Sequence, residues 1–448
     1  MKGFFISFNK NIFLKKVLII SYYWPPSGGA GVQRWLKFVK YLPQNNWQPH
    51  IYTALNGEMP VIDDSLQKDI PPEAIIIKQP IWEPYSIYKK FTGKKKSEKI
   101  NASFLNEGKK TGLLQKISVW IRGNFFIPDA RKFWIKPSTK FLQTYIQKNK
   151  IEYIISSGPP HSMHLIALNL KLLNPNLKWI ADFRDPWTNI DFYSKLMLTR
   201  HSNKKHHKLE KTVLKNANCI ISIGQQMNNE FVEMYKNIGG KNFEKFKIIT
   251  NGYDESDLPN FEVEKDTKFS IAHVGTLVKD RNPTILWKVL NKLINENKHF
   301  EKQLQIKLVG KVDIFVNEEI AKYNLTKYVK KIDYLPHNEV IIEQKKSKIL
   351  LLLVNNTANA KGILTGKLFE YLMADVPIIA IGPEDGDLAN ILNETNAGKI
   401  SGFNNEIQLE KNILNTFNNT IELNQTKMIT KYSRESLTKD LVQILNEL

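Results

Sequence analysis

Cysteine is nearly missing: Cys219 is the single one in 448 residues, which excludes an internal disulfide and accords with a reducing compartment. Set in the apolar run CIISI, it reads as core. No run reaches about 18 uninterrupted apolar residues, so no membrane-spanning helix is expected. The opening MKGFFISFNKNIFLKK is interrupted by Asn9, Lys10 and Asn11, so we read no secretion signal and expect a cytoplasmic protein. Neither half carries GxGxxG with an acidic residue some 20 positions on, which argues against a dinucleotide-dependent oxidoreductase. Acidic residues are outnumbered, 44 against 64 basic ones, for a net charge of +20. Such a charge suits nucleic acid, an anionic membrane surface or phosphate-bearing substrates. With no nucleic-acid motif interleaving the basic residues with aromatics, the first of these is set aside.

What is present is the balance of a globular chain, 42% hydrophobic and 24% charged, long enough for two domains of about 200 residues each. KKVLIIS at 15–21 reads as a strand, YYWPPSGGAG as a loop and VQRWLKFVKYLPQ as a helix. Strands are expected again at 51–55, 74–79, 151–157, 178–183 and 218–224, with a helix near 225–237. A basic amphipathic insertion at about 85–137 interrupts the series. After the polar run 261–270 the alternation restarts, with strands at 271–277, 304–310, 330–336, 349–354, 376–382 and 397–401. GKLFEYLMA is a helix between two of them. The expectation is α/β, two Rossmann-like doubly wound domains, 1–260 and 261–448, facing across a cleft. The last amphipathic segment, RESLTKDLVQILNEL, can pack against either.

Several side chains could carry chemistry. In GGAG, Gly28, Gly29 and Gly31 stand between a strand and a helix, where backbone N–H groups can converge on a phosphate; a plain flexible turn is the alternative. Lys367 and Glu370 lie three apart at the start of a helix, on one face. The lysine suits a diphosphate and the glutamate a ribose, unless the two are simply an exposed ion pair. His161 in SSGPPHS follows a strand end, able to meet a sugar or move a proton, or else structural; His164 reads as a helix-face residue. ADFRDPW supplies Asp182, Arg184 and Asp185. Asp185 could take a proton from a hydroxyl and Arg184 could contact phosphate, or a buried Asp–Arg pair could merely hold the loop. Asp254 and Asp257 in DESD are read as loop residues, not metal ligands. HSNKKHHKLEK at 201–211 reads as a solvated basic helix face, with His201, His206 and His207 not ligands. The clusters KKK at 94–96 and KK at 109–110, with IRGNFF and Trp120, combine charge and apolar surface as an anionic lipid interface requires; a basic surface with its apolar residues buried is the alternative.

LIISYYWPPSGGAGVQR, SSGPPHS, ADFRDPW, IITNGYD, HVGTLVKDRNP and GKLFEYLMADVPIIAIG occur in the order seen in retaining glycosyltransferases of family 4, which the chain resembles over roughly residues 15–400. The resemblance implies the GT-B fold, retention at the anomeric carbon and no required metal or cofactor. It also implies a nucleotide-sugar donor, UDP being commonest, on the second domain and a glycan or lipid-linked acceptor on the first. Glu370 matches the second, ribose-binding glutamate of the family's Glu, seven residues, Glu motif, and Gly362 stands at the first. The family's VGR-L-x-x-x-K pattern is here VGTLVKDR, with Thr276 replacing the arginine and Arg281 in place of the lysine. His161 resembles the family's active-site histidine. The implied activity is sugar transfer in surface polysaccharide synthesis; the basic, aromatic insertion adds the expectation of contact at the inner face of the plasma membrane. A nucleotide-sugar epimerase of the same fold, or a non-catalytic nucleotide-sugar-binding protein, is the alternative.

Overall fold

Strands rich in uninterrupted apolar residues, such as VLII, CIIS, ILLLL and IIAI, can exist only where helices cover both faces of a parallel sheet. The chain builds two such sheets. The computed structural model describes residues 14–59, 61–84, 113–420 and 427–448; the opening segment and the lysine clusters at 94–96 and 109–110 lie outside them.

The first sheet comprises β1 (Lys15–Ile20), β2 (Trp47–Ala54), β3 (Ile75–Gln79), β4 (Tyr153–Gly158), β5 (Lys178–Phe183), β6 (Cys219–Ser222) and β7 (Phe246–Ile248). Their spatial order is β3-β2-β1-β4-β5-β6-β7, with every pairing parallel. The second contains β8 (Phe269–Val274), β9 (Leu304–Val309), β10 (Val329–Ile332), β11 (Ile349–Leu353), β12 (Ile378–Ile381) and β13 (Gly398–Ser401). It runs β10-β9-β8-β11-β12-β13, also parallel throughout. The expected doubly wound architecture is therefore present twice. β2 starts four residues ahead of its expected start because Trp47 is buried in the core beside Trp35 and Leu42. β10 stops short of the expected 336, since only its first four residues pair with β9.

In each sheet the strand order reverses once, between β1 and β4 and between β8 and β11. Ligands of such sheets bind at that reversal, beyond the carboxyl ends of the strands. The loops that carry GGAG and SSGPPHS leave one reversal, and those that carry Gly275 and residues 354–365 leave the other.

Two further elements bear on the site. The insertion continues, among the described residues, as a helix at Leu113–Phe125 outside the sheet. The last helix, Arg434–Glu447, packs on the helix Ala30–Tyr41 of the first half, adding Leu437, Leu441, Ile444 and Leu445 to the core around Trp35 and Phe38. Cys219 is core, with burial pushing its thiol up to about 12. Among the described residues no helix is long and apolar enough to cross a membrane.

Candidate active site

Three loops meet at the first reversal because one guanidinium ties them. Arg184, just past β5, donates from Nη1 to the Gly31 carbonyl at 2.5 Å and from Nη2 to the Pro159 carbonyl. This brings the glycine loop after β1, the turn after β4 and the loop after β5 to one place. Gly29 has φ +88°, a left-handed conformation that favours glycine. The N–H of Gly28 is taken by the Val61 carbonyl at 2.9 Å, so that group is spent on holding the loop.

His161 is buried at this junction, its ring flat on Trp187 with centroids 4.6 Å and planes 2° apart. Burial, then the nearby charges of His164, His206 and Arg184, holds the imidazole well below its usual range, so it is neutral. Its Nδ1 meets no partner among the described residues. His164 is on a helix, as expected, but on a wholly buried face: its Nδ1 is bonded to Ser156 Oγ at 2.8 Å, and burial pushes it down to about 3.

Asp182 and Asp185, three residues apart, have opposite surroundings. Asp182 is fully buried and receives Arg34 Nη2 at 2.8 Å, Trp35 Nε1 at 2.8 Å and Ser157 Oγ at 2.9 Å. Burial alone would raise its carboxyl, but Arg34 and these hydrogen bonds hold it below the usual range. The expected Asp–Arg pair exists, with Arg34 rather than Arg184 as the cation, and it has no free lone pair directed at a ligand. Asp185 is open to solvent yet ringed by protein. Lost hydration, set against the attraction of Arg184 and helped by Asp191, pushes it up to about 6.

The second reversal gathers cations. Gly275, at φ +109°, turns the chain at the end of β8, and a Cβ there would lie 2.6 Å from Lys367 Nζ. The lysine thus lies over a bare backbone at the start of the helix Gly366–Ala374. Burial and the charge of Arg281 bring it down to about 8, against the pull of Glu370. Arg281 Nε donates to Asn355 Oδ1 at 2.8 Å, and Glu370 receives Gln344 Nε2 at 3.3 Å. Lys367 and Glu370 are therefore not a bare surface ion pair.

The two halves touch around these groups. Asn355 Nδ2 donates to Asp191 Oδ2 at 3.2 Å, Asn359 Nδ2 to the Asn189 carbonyl at 3.1 Å, and Lys195 pairs with Asp280 at 3.0 Å. Asp387 of the second half accepts the N–H of Gln226 at 3.0 Å, at the start of the helix Gln225–Lys236. The strand-end loops of both sheets thus border one cleft.

Two readings need correction. The helix Arg200–Asn216 is not simply a solvated face: His206 and Glu210 are 4% and 1% exposed, because they face the 185–188 loop. Asp254 and Asp257 are not bare loop residues either. With Asp69 they surround Lys37, whose Nζ lies 2.8, 2.9 and 2.8 Å from Asp69, Asp254 and Asp257. An ammonium occupies the centre of that carboxylate cluster. Sequence reading passed over His273, Asn355 and Trp187. His273 is buried within the electrostatic reach of Lys367 and Arg281; burial and the lysine's charge push its ring down to about 3. Its position, just before a glycine turn that ends a strand, was the available signal.

No protein-family model matches the sequence, and no curated protein does. Solved structures match almost end to end. A glycosyltransferase from Rickettsia africae is 14% identical, with a TM-score of 0.59 over 97% of this chain and 98% of that one. A variant of S. aureus TarM, in complex with fondaparinux, α-GlcNAc-glycerol and UDP, is 12% identical, with a TM-score of 0.59 over 97% and 100%. A putative UDP-N-acetylglucosamine 2-epimerase from Listeria monocytogenes is 10% identical, with a TM-score of 0.54 over 97% and 96%. The fold they share with this chain is GT-B.

Proposed function

We propose that the chain is a retaining glycosyltransferase. It moves a sugar from a nucleoside-diphosphate sugar, with UDP the favoured nucleotide, to a glycan or lipid-linked acceptor of surface polysaccharide. The observation that carries this reading is the placing of Arg281 and Lys367 at the Gly275 turn, with Glu370 three residues along the helix from the lysine. Two cations held close together at the cost of mutual repulsion suit a dianionic group. Their charge would offset that which grows on the departing diphosphate, the largest electrostatic demand of the reaction, so no metal is needed. Glu370 would accept from the ribose hydroxyls. In the transfer, the bond from the anomeric carbon to the phosphate oxygen breaks while one to the acceptor oxygen forms on the same face. Asp185, raised toward neutrality, would receive the acceptor's hydroxyl proton, and neutral His161 would hydrogen-bond the sugar. The UDP in the TarM complex supports the choice of nucleotide.

A membrane-borne acceptor, met at the inner membrane face, is favoured by the surface around the helix Leu113–Phe125. Trp82, Ile117, Trp120, Ile121, Phe125 and Phe133 are exposed there, beside Lys116 and Lys136. The one carboxylate between residues 113 and 140, Asp129, is instead bonded to the N–H and hydroxyl of Ser162. Exposed aromatics beside lysines fit an anionic lipid interface.

The test is thermal stabilisation by UDP, GDP, ADP, NAD and their sugar conjugates, in the wild type and in Glu370→Ala. A nucleoside diphosphate should raise the melting temperature by mass action and the variant should lose the response. A response to NAD alone, or to nothing, would remove the basis of the reading. Conversion of a free nucleotide sugar with no acceptor present would indicate an epimerase instead.

A further inference from the structure

The helix Arg200–Asn216 turns two titratable side chains inward, and both bond the loop that follows β5. His206 Nδ1 lies 3.0 Å from Trp187 Nε1. An indole N–H can only donate, so Nδ1 is the acceptor and the proton of the neutral ring sits on Nε2. One turn on, Glu210 accepts the hydroxyl of Thr188 at 2.5 Å and its N–H at 3.4 Å. Two adjacent loop residues are thus fixed by two side chains four apart on one helix. The loop has reason to need fixing. Trp187 covers one face of the His161 ring, and Asp185 stands two residues before it. On the opposite edge Asn189 donates to Glu230 at 2.8 Å, so the segment 187–189 is held at three consecutive residues.

We infer that His206 and Glu210 are positioning residues of the active site: they fix the plane of Trp187 and thereby the orientation of the His161 ring against the transferred sugar. The inference rests on the glycosyltransferase reading for its effect on turnover, but its geometric part does not. A stacked ring has one rotational freedom fewer, and a neutral imidazole with a set orientation presents one nitrogen to the cleft in a defined direction. Loss of that direction would leave binding of the donor's nucleoside diphosphate, which uses the other half, intact.

The experiment uses the full chain with histidine ring carbons labelled. In the wild type one of the nine histidines should show a ring proton shifted upfield by the stacked indole, assigned by its loss in His161→Gln. In His206→Leu that signal should move downfield, kcat should fall by about tenfold to a hundredfold, as for a displaced catalytic group, and the affinity for UDP should stay within about twofold. His206→Asn, whose amide oxygen can stand where Nδ1 stands, should restore both. Thr188→Val, a milder change at the Glu210 end, should shift the signal in the same direction and serves if His206→Leu does not fold. Unchanged His161 signals in both His206→Leu and Thr188→Val would overturn the inference. So would a fall in kcat that His206→Asn does not restore. If no nucleotide stabilises the wild type, the donor reading fails while the ring signal still decides the positioning.

Discussion

Gly362 of the second half faces Gln226 of the first so closely that a Cβ on the glycine would lie 3.2 Å from the glutamine's Cβ and Cγ. The position at which the resemblance places a glutamate is therefore filled from across the cleft. Gly362→Glu should not improve turnover. It should lower stability by about 1–3 kcal/mol through overpacking, and Gln226→Ala in the same chain, which removes Cγ and keeps Cβ, should recover part of that. Melting curves of the single and double variants check this; a glutamate variant as stable as the wild type would show that the space exists.

On the proposed reading, Lys367 should give nucleotide binding a pH dependence. Its ammonium deprotonates near 8 rather than near 10.5, so affinity for UDP should fall as pH rises through about 8. Lys367→Arg, which stays charged, should bind equally at pH 7 and pH 9. Between about pH 8 and 10.5 the unfolded chain holds more protons at this residue than the folded one. Its contribution to stability therefore rises with pH there. Calorimetry in two buffers at pH 8.5 should register proton uptake on UDP binding by the wild type and none by the arginine variant.

Asp182 and Arg34 form a pair out of contact with water. Asp182→Asn should cost about 3 kcal/mol or more, because Arg34 would be left buried without a counter-charge. The carboxyl is held below its unfolded range, so its stabilisation is present above about pH 3.9 and is lost as pH falls through the lower folded value. The variant's acid limb in a plot of melting temperature against pH should accordingly be shallower than that of the wild type.

Lys37 separates Asp69, Asp254 and Asp257, whose carboxylate oxygens lie within 4.8 Å of one another. Lys37→Met should be destabilised at pH 7 by their repulsion and should regain stability as pH falls into the carboxylate range. Millimolar calcium should raise the melting temperature of the variant and leave the wild type unchanged. A variant indifferent to both would show that the carboxylates relax apart.

The exposed face of the helix Leu113–Phe125 should direct lipid binding. Replacing Trp120 and Ile121 together by serine should reduce co-flotation with phosphatidylglycerol vesicles several-fold. Wild-type binding should weaken as salt rises, since screening acts on the cationic share of the contact. Equal flotation of variant and wild type would remove this surface from the account.

The two parallel sheets were legible in the sequence because a strand covered on both faces must be apolar throughout, and nothing else in the chain looks like ILLLL or VLII. The placing of Lys367 and Glu370 side by side was legible because the register of one short helix sets it. What could not be read was anything decided by a distant partner. Asp182 meets a guanidinium 148 positions earlier in the chain, and local sequence offered the nearer Arg184 instead. His206 and Glu210 sit among lysines, and only the arrival of the 185–188 loop makes their side of the helix an interior. Asp254 and Asp257 look like any acidic turn until Lys37 is placed among them.

The return of the last helix to the first half sets the chain's order of completion. Lys15 Nζ bonds Asn446 Oδ1 at 2.9 Å, so the second half is, in connectivity, a long excursion out of the first. The sheet begun earliest keeps Trp35 and Phe38 without part of their covering until the final fifteen residues are made. The sheet begun later can close before then. In chain order, therefore, the second sheet is complete before the first, whose core is sealed by the helix that returns to it.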